Sequence, residues 1–433
     1  MDYDNSKYII RINITDLCIL AILVLFYRIL LELSYVYLIS PGYTYMGLIM
    51  ENTYGMYVIS WILSFLPIFS IANLCGEVNF CSTTLYLLYL ICYIPSTVLF
   101  GYIRATFVPW FLLYFFFLFF YNRLFNTINA PSCFKLNKKG LNILMVFLVL
   151  VIIFIWGYYS HFRVNFSLYD VYARREEASS YQMPTLVSYL FSGIKMILPT
   201  LTVWALSNKN KIFAFVYAGT LMVTFFIDGS KSVVVSLLAA LIAYAIIRRN
   251  KAVIKYMIVA LSILLIFGLI EYIVTKSMVI DGLIIRRAFF LPQRLNYYYY
   301  EFVSQNGPDY FRQGLIRHFG FKSRYGMRIT NIIGEIYFGS ANNSANNGLF
   351  SDAYYNLGYP GFFIMPALII GFLKVLDSFS SGQREEVRIA SIIAISISLI
   401  SSSFFTILLT HGGIFLAIIY LLLPRDIPES ENQ

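Results

Sequence analysis

The sequence predicts an all-α, polytopic membrane protein with about twelve transmembrane helices. Of its 433 residues, 59% are hydrophobic and only 12% are charged, whereas soluble domains carry about 25% charged residues. The apolar residues form blocks of about 17–23 residues, the length that crosses a hydrocarbon core of about 30 Å. The mean hydropathy of +0.71 agrees with this pattern. This composition excludes a soluble globular protein.

The apolar blocks define the predicted spans and a single integral membrane domain over 1–433. Two apolar stretches are too long for one span, and each has a break near its middle, at Asp228-Gly229-Ser230-Lys231 and at Thr410-His411-Gly412-Gly413. Glycine and polar residues favour turns at such breaks. The predicted spans are 15–38, 55–74, 84–101, 105–121, 141–160, 184–206, 211–228, 230–247, 252–274, 356–376, 389–405 and 408–423.

The basic residues of the short loops predict the orientation. Four short loops carry clusters of Lys and Arg, and such loops face the cytoplasm. With an even number of spans, both termini lie on the same side as these loops. Two longer segments, 161–183 and 276–355, then face the extracytoplasmic side. The larger one is predicted to hold the functional site and short interfacial helices.

The net charge of +10 indicates anionic lipid partners and not nucleic acid. Cytoplasmic loops collect basic residues, and the outer segments add arginines whose planar guanidinium groups bind phosphate oxygens in pairs. Solvated basic surface or contacts with membrane lipid phosphates are the alternative interpretation. The residues that we predict to bind a diphosphate are Arg163, Lys231, Arg286, Arg287, Arg294, Arg324 and Arg328.

Two residues of the large segment are candidates for proton transfer. Asp352 lies just before a predicted span, where a carboxylate is able to accept a proton from a sugar hydroxyl; an acidic residue that interacts with a helix dipole is the alternative. His318 is the second candidate. The residues predicted to contact a glycan are Tyr298, Glu335, Tyr355 and Asn356, although interface anchoring also explains the tyrosines.

Arg28, Glu32 and Lys195 are ionisable residues within predicted spans, where charges are costly and are usually paired or functional. Arg28 and Glu32 are four residues apart and are expected to pair on one helix face. Lys195 lies near the middle of its span. The five cysteines lie outside the outer segments, so no disulfide framework, metal site or cofactor is predicted.

Three segments of the sequence resemble the bacterial O-antigen and capsule repeat-unit polymerases of the Wzy type. They are FFIDGSKSVVVSLLAALIAY at 225–244, RRAFFLPQRLNYYYYEF at 286–302 with the following GPDYFRQG, and IGEIYF with ANNGLFSDAYYNLGYPG within 333–361. Together with the number of spans and the late outer loop, the resemblance covers most of the chain.

The resemblance implies a metal-independent membrane glycosyltransferase with a GT-C-like architecture. Such an enzyme transfers a growing glycan from undecaprenyl diphosphate to the non-reducing end of a lipid-linked repeat unit. The reaction takes place at the outer face of the bacterial cytoplasmic membrane. The resemblance also implies a chain-length regulator and a flippase as partners. In this mechanism Arg286, Arg287 and Arg294, with Lys231 or Arg163, hold the donor diphosphate.

Two other functions compete with this hypothesis. A flippase for lipid-linked oligosaccharides is expected to show repeated halves and binding charges near the membrane midplane, and of the ionisable residues only Lys195 favours it. An O-antigen ligase shares the donor but transfers the glycan to a lipid core, and it favours an outer loop centred on histidine.

Overall fold

The computed structural model describes residues 14–51, 53–76, 78–123, 136, 138–164, 171–249 and 253–424. Every regular element in these ranges is helical. The longer helices are Ile14–Gly42, Tyr54–Leu74, Phe80–Tyr102, Val108–Arg123, Lys138–Ser160, Thr185–Ser207, Lys211–Asp228, Lys231–Arg249, Val253–Thr275, Leu291–Asn306, Gly361–Phe379 and Glu385–Ser401. The shorter ones are Thr44–Met46, Val171–Ser180, Asp281–Phe290, Leu315–Phe319, Ile329–Phe338, Leu349–Leu357, Phe404–Leu409 and Gly413–Leu422.

Eight of the described helices are long and apolar enough to cross a membrane. They are Ile14–Gly42, Tyr54–Leu74, Phe80–Tyr102, Lys139–Ser160, Thr185–Ser207, Lys211–Asp228, Tyr256–Thr275 and Gly361–Phe379. Three shorter apolar helices are Val108–Asn122, Val233–Arg248 and Gly413–Leu422. The prediction of an all-helical protein with several membrane spans is confirmed. The total of twelve spans stays a prediction.

The two long apolar stretches, each predicted to form a pair of spans, break at different kinds of position in the structure. In the first, the helix Lys211–Asp228 ends at Gly229, whose φ of 65° suits glycine. In the second, the helix from Glu385 already ends at Ser401, and Ser403 caps a short helix, Phe404–Leu409. A second break follows at Gly412, with a φ of 87°. The apolar pattern did not reveal the earlier break because serines do not interrupt hydropathy as charged residues do.

The chain divides into two compact units. Unit one comprises 1–77, 85–124 and 254–368, and unit two comprises 78–84, 125–253 and 369–433. The large segment 276–355, predicted to face the extracytoplasmic side, therefore belongs to unit one.

A buried ion pair stands in the core of unit one. Arg28 is fully buried and its Nη1 donates to Glu32 Oε2 at 3.1 Å, so the predicted pairing is confirmed. The Nε and Nη2 groups of Arg28 donate to Ser64 and Ser60 at 3.1 and 3.2 Å. The Tyr102 hydroxyl donates a hydrogen bond to the other Glu32 oxygen, Oε1. These hydrogen bonds compensate both buried charges, as an apolar environment demands.

Unit two packs the helix Thr185–Ser207 against Lys211–Asp228 and Glu385–Ser401. A hydroxyl chain links three of its elements, because Ser391 Oγ lies 2.6 Å from Thr200 Oγ1 and 2.7 Å from the Tyr420 hydroxyl. In the same unit, Lys195 Nζ lies 2.5 Å from Asp228 Oδ2. Lys195 is therefore paired, one of the two outcomes expected for a charge within a span.

Candidate functional site

The helix at 281–306, here called the loop helix, organises the large segment. Its first part, Asp281–Phe290, is a π-helix, and Leu291–Asn306 continues it as an α-helix. In a π-helix the hydrogen bonds run from residue i to i+5, and such turns are frequent at functional sites. This wider turn places Asp281 and Arg286 on the buried face, whereas Arg287 is exposed.

Arg286 is enclosed by residues of unit one. Its side chain is only 8% exposed, and the guanidinium carbon lies 4.3 Å from the centre of the Tyr43 ring. Nη1 donates to Met46 Sδ at 3.2 Å, and Nη2 donates to the Gly282 carbonyl at 3.4 Å. A thioether sulfur is a weak acceptor. The Tyr43 ring and the Asp281 carboxylate on the same helix face are therefore the neighbours that stabilise the charge of Arg286.

Arg294 lies two turns further along the loop helix and is equally buried. It is 8% exposed, and its guanidinium carbon lies 5.0 and 4.5 Å from the ring centres of Tyr297 and Tyr298. Gly47, with a φ of 69°, approaches so closely that an added Cβ would lie 2.5 Å from Nη2 of Arg294. The absence of a side chain at Gly47 leaves room for the guanidinium group.

Three buried nitrogen atoms of these arginines lack hydrogen-bond acceptors within the described residues. They are Nε of Arg286 and both Nε and Nη1 of Arg294. Each unsatisfied buried donor costs about 1–3 kcal/mol, and more when it is charged. Neither arginine forms an ion pair within the described part of the chain. Buried guanidinium groups with free donors are suited to an anionic ligand with several oxygens.

Asp281 is a buried carboxylate that the sequence interpretation missed. It is 1% exposed, and the Tyr43 hydroxyl and the Arg286 guanidinium group are its polar neighbours. Burial raises the pKa of Asp281 to about 6, while Tyr43 and Arg286 act in the opposite direction. The only sequence signal was its position five residues before Arg286, which indicates a shared face only if a π-helix is assumed.

Tyr298 connects the loop helix to two neighbouring elements. Its ring stacks on Tyr337, with centroids 3.9 Å apart and an angle of 19°, and its hydroxyl donates to the Met46 carbonyl at 3.0 Å. The Tyr337 hydroxyl in turn donates to Glu301 at 2.8 Å. Only 6% of Tyr298 is exposed, so this ring serves the packing around Arg294 in the structure, and its contact with a glycan stays a prediction.

Asp352, Tyr355 and Asn356 lie together on the short helix Leu349–Leu357. Asp352 is buried and accepts a hydrogen bond of 2.7 Å from the Asn356 amide. The side-chain oxygen Oδ1 of Asn356 accepts a hydrogen bond from the backbone N–H of Phe311 at 3.0 Å. Because both ends of the Asn356 side chain are used internally, a sugar that binds Asn356 has to replace one of these bonds.

Asp309 is the second carboxylate that the sequence interpretation missed. It is fully buried and accepts hydrogen bonds from Ser323 at 2.6 Å, from the Gln313 backbone at 2.9 Å and from the Tyr355 hydroxyl at 3.2 Å. Burial and the neighbouring carboxylate raise the pKa of Tyr355. Asp309 therefore anchors the following loop, and its dipeptide Pro308-Asp309 is the turn signal that sequence reasoning overlooked.

The other predicted binding residues of the large segment are exposed. Arg324 donates to the Pro308 carbonyl at 3.5 Å, and its backbone N–H donates to Asp309. Arg287, Arg328 and Glu335 are exposed as well. These side chains lie at the surface of unit one, in contrast with the enclosed Arg286 and Arg294.

Two predicted site residues belong to unit two. The exposed Arg163 forms an ion pair of 3.1 Å with Glu177. Lys231 begins the helix Lys231–Arg249, and its side chain lies outside the described part of the structure, as does that of His318 in unit one. The roles of Lys231 and His318 therefore stay predictions from the sequence.

Unit two also contains a polar cavity of about 200 Å³. It lies beside the Lys195–Asp228 ion pair, and the Lys195 ammonium group is also 4.5 Å from the Phe191 ring centre. Hydroxyl groups and an imidazole supply donors and acceptors to this space. Its polar lining residues are Ser192, Lys195, Ser230, Ser236, Ser398 and His411.

Comparison of the chain with models of protein families, with curated proteins and with solved structures finds no match. Within the described residues, no three His, Cys, Asp or Glu side chains are grouped so that they could hold a metal ion. The two buried arginines, Arg286 and Arg294, are the feature of the described residues that most clearly indicates an anionic ligand.

Proposed function

We propose that this protein is a polysaccharide polymerase of the bacterial cytoplasmic membrane, with both termini in the cytoplasm and a GT-C-like architecture. It transfers a growing glycan from undecaprenyl diphosphate to the non-reducing end of a lipid-linked repeat unit at the outer face. The product class is an O-antigen, as in lipopolysaccharide, or a capsule. A chain-length regulator and a flippase are its expected partners.

The observation that carries this proposal is the pair of buried arginines with unpartnered N–H groups, Arg286 and Arg294. A diphosphate offers several oxygens with a high charge density, and guanidinium groups bind such oxygens bidentately. Their burial next to Tyr43, Tyr297 and Tyr298 lowers the local dielectric constant and strengthens the attraction. Surface lysines or exposed arginines do not provide this combination.

In the proposed reaction, Arg286 and Arg294 bind the donor diphosphate through its non-bridging oxygens. The acceptor hydroxyl attacks the anomeric carbon, the bond from that carbon to the diphosphate oxygen breaks, and the departing oxygen carries the electron pair. The two guanidinium groups stabilise this developing charge. The exposed Arg287, Arg324 and Arg328 guide the anionic lipid towards the arginines.

A general base has to remove the proton of the acceptor hydroxyl. Asp352 is the candidate that we retain, with His318 as the alternative. The carboxylate of Asp352 is held by Asn356 on the helix Leu349–Leu357, which gives it a defined orientation. Replacing Asp352 by Asn should lower kcat while binding of the diphosphate donor is unchanged, because Asn keeps the size but accepts no proton.

The direct test is polymerisation by the purified protein in vesicles that contain lipid-linked repeat units. The expected products are longer glycans and free undecaprenyl diphosphate. One molecule of undecaprenyl diphosphate is released for each glycan transfer. Arg294→Lys should lower kcat/KM by about tenfold to a hundredfold, because a charge-assisted bond contributes about 1.5–3 kcal/mol and lysine lacks the planar fork.

Arg104→Lys is the matched control, since the exposed Arg104 undergoes the same chemical change and belongs to none of the predicted binding residues. It is expected to retain activity within about twofold. Wild-type protein that binds the repeat units and neither elongates the glycan nor releases undecaprenyl diphosphate would refute the polymerase assignment.

A transporter of lipid-linked oligosaccharides is the second candidate, favoured by the cavity beside Lys195 and Asp228. Ion pairs next to polar cavities are frequent in membrane transport proteins. Lys195→Met with intact protein levels distinguishes the two functions. A transporter loses translocation of a labelled lipid-linked oligosaccharide, whereas a polymerase shows no translocation in either the wild type or the variant.

A further inference from the structure

The segment 310–328 of unit one, here called the basic loop, combines exposed cations with exposed aromatic side chains. It contains five Arg or Lys residues and no Asp or Glu. The cations Arg317, Lys322, Arg324 and Arg328 are exposed. Phe319 is 76% and Phe321 is 57% exposed. Such a pattern lies outside every helix that is long enough to cross a membrane.

Internal hydrogen bonds hold the basic loop in one conformation, which fixes the positions of its exposed side chains. Asp309 holds it at the base through Ser323 and the Gln313 backbone. Gln313 crosses the loop, since its amide donates to the Met327 carbonyl at 2.7 Å and accepts from the Ile329 N–H at 2.9 Å. Gln313 and Ser323 are thus used in hydrogen bonds within the loop, while Phe319 and Phe321 are exposed beside the cations.

We infer that the basic loop docks on the headgroup region of an anionic lipid bilayer. Phe319 and Phe321 insert at the interface, as the apolar residues of interfacial segments do. The neighbouring cations bind the phosphates of anionic lipids, each with a favourable contribution near a charged surface. Charge complementarity selects this partner, because the segment lacks any acidic residue that would be repelled by the lipid phosphates.

The basic loop does not contain the buried Arg286 and Arg294, and its docking on a bilayer does not depend on the proposed polymerase activity. The nearest acidic neighbour in sequence on the N-terminal side, Asp309, is fully buried and used in four hydrogen bonds. It therefore does not neutralise the exposed cations by direct pairing. Exposed aromatic and basic residues remain as the outer surface of the loop.

The test places a nitroxide label at a single cysteine in a cysteine-free full-length protein, at Phe319→Cys. The protein is reconstituted in bilayers of phosphatidylcholine alone and of phosphatidylcholine with an equal part of phosphatidylglycerol. We expect the label to be accessible to oxygen and shielded from a water-soluble nickel chelate, with stronger shielding in the anionic bilayer. Asn342→Cys, on an exposed polar segment, is the matched control and should be equally accessible to the chelate in both bilayers.

Charge variants then test the partner. Lys322→Gln and Arg317→Gln should each reduce the ratio of docked to free loop in the anionic bilayer by about fivefold, with little change in phosphatidylcholine. Equal access of the chelate to positions 319 and 342 in both bilayers would overturn the inference. Shielding of position 319 that appears only on addition of an anionic glycan would also overturn it, and would assign the loop to a carbohydrate partner.

Discussion

The guanidinium carbon of Arg294 lies 4.5 Å from the ring centre of Tyr298, and the same ring stacks on Tyr337 at 3.9 Å. An aromatic ring stabilises the positive charge of an arginine without accepting its N–H groups as a carboxylate does, so these groups can still bind a ligand. Because two of the Arg294 nitrogens have no acceptor among the described residues, this arrangement favours ligand binding at the expense of stability. Such a compromise is common at functional sites.

Arg294→Met should therefore separate stability from binding. Methionine fills a similar volume and removes buried donors that lack acceptors, so we expect an unchanged or higher thermal unfolding midpoint in detergent. Binding of farnesyl diphosphate, a short-chain probe of the lipid diphosphate, should weaken by about tenfold to a hundredfold. A variant that unfolds at a much lower temperature and still binds the probe would contradict the proposed role.

The affinity for the diphosphate should depend on the protonation of Asp281, whose pKa is about 6. Above pH 6 its negative charge repels the ligand, and below pH 6 it is neutral, so lowering the pH through 6 should tighten binding by about threefold to tenfold. Asp281→Asn should bind tightly at every pH. The ratio of the wild-type affinity to the Asp281→Asn affinity at each pH cancels the titration of the ligand itself. An affinity ratio that stays constant from pH 5 to pH 8, roughly a unit or more on either side of the pKa, would exclude this role of Asp281.

Gly47→Ala should disturb the arginine site without changing an arginine, because the added methyl group would occupy the space of the Arg294 side chain. A Cβ at this position would meet Arg294 and the Tyr298 hydroxyl, and its φ of 69° disfavours alanine. We expect a loss of stability of about 1–3 kcal/mol together with weaker probe binding. Gly55→Ala is the control, since nothing lies within 4 Å of its added Cβ, and this helical position should become slightly more stable.

The buried pair Arg28–Glu32 should be stabilising only as a unit. Glu32→Gln leaves a fully buried Arg28 without its counterion and should lower the free energy of unfolding by about 3–5 kcal/mol. The double variant Arg28→Met/Glu32→Leu should recover most of this loss. Thermal unfolding of the single and double variants measures the difference, and equal destabilisation by both would argue against a counterion role for Glu32.

Local sequence patterns determined the parts of this protein that depend on neighbours along the chain. Apolar blocks predicted the class and most of the helices, because crossing a membrane requires length and hydropathy. The spacing of four residues predicted the pair Arg28–Glu32, and Gly229 marked the turn after Asp228. The phosphate-binding role of the arginines in the large segment is a prediction from the chemistry of their side chains.

The tertiary structure alone decided which of those side chains are enclosed and what they contact. Arg286 and Arg287 are adjacent and chemically identical, yet a π-helix turns one inwards and the other outwards. Asp228 meets Lys195 across 33 residues, and Asp309 gathers its donors from three later parts of the chain. Composition and periodicity describe one helix at a time, whereas burial, pairing and a missing partner arise only when separate helices pack together.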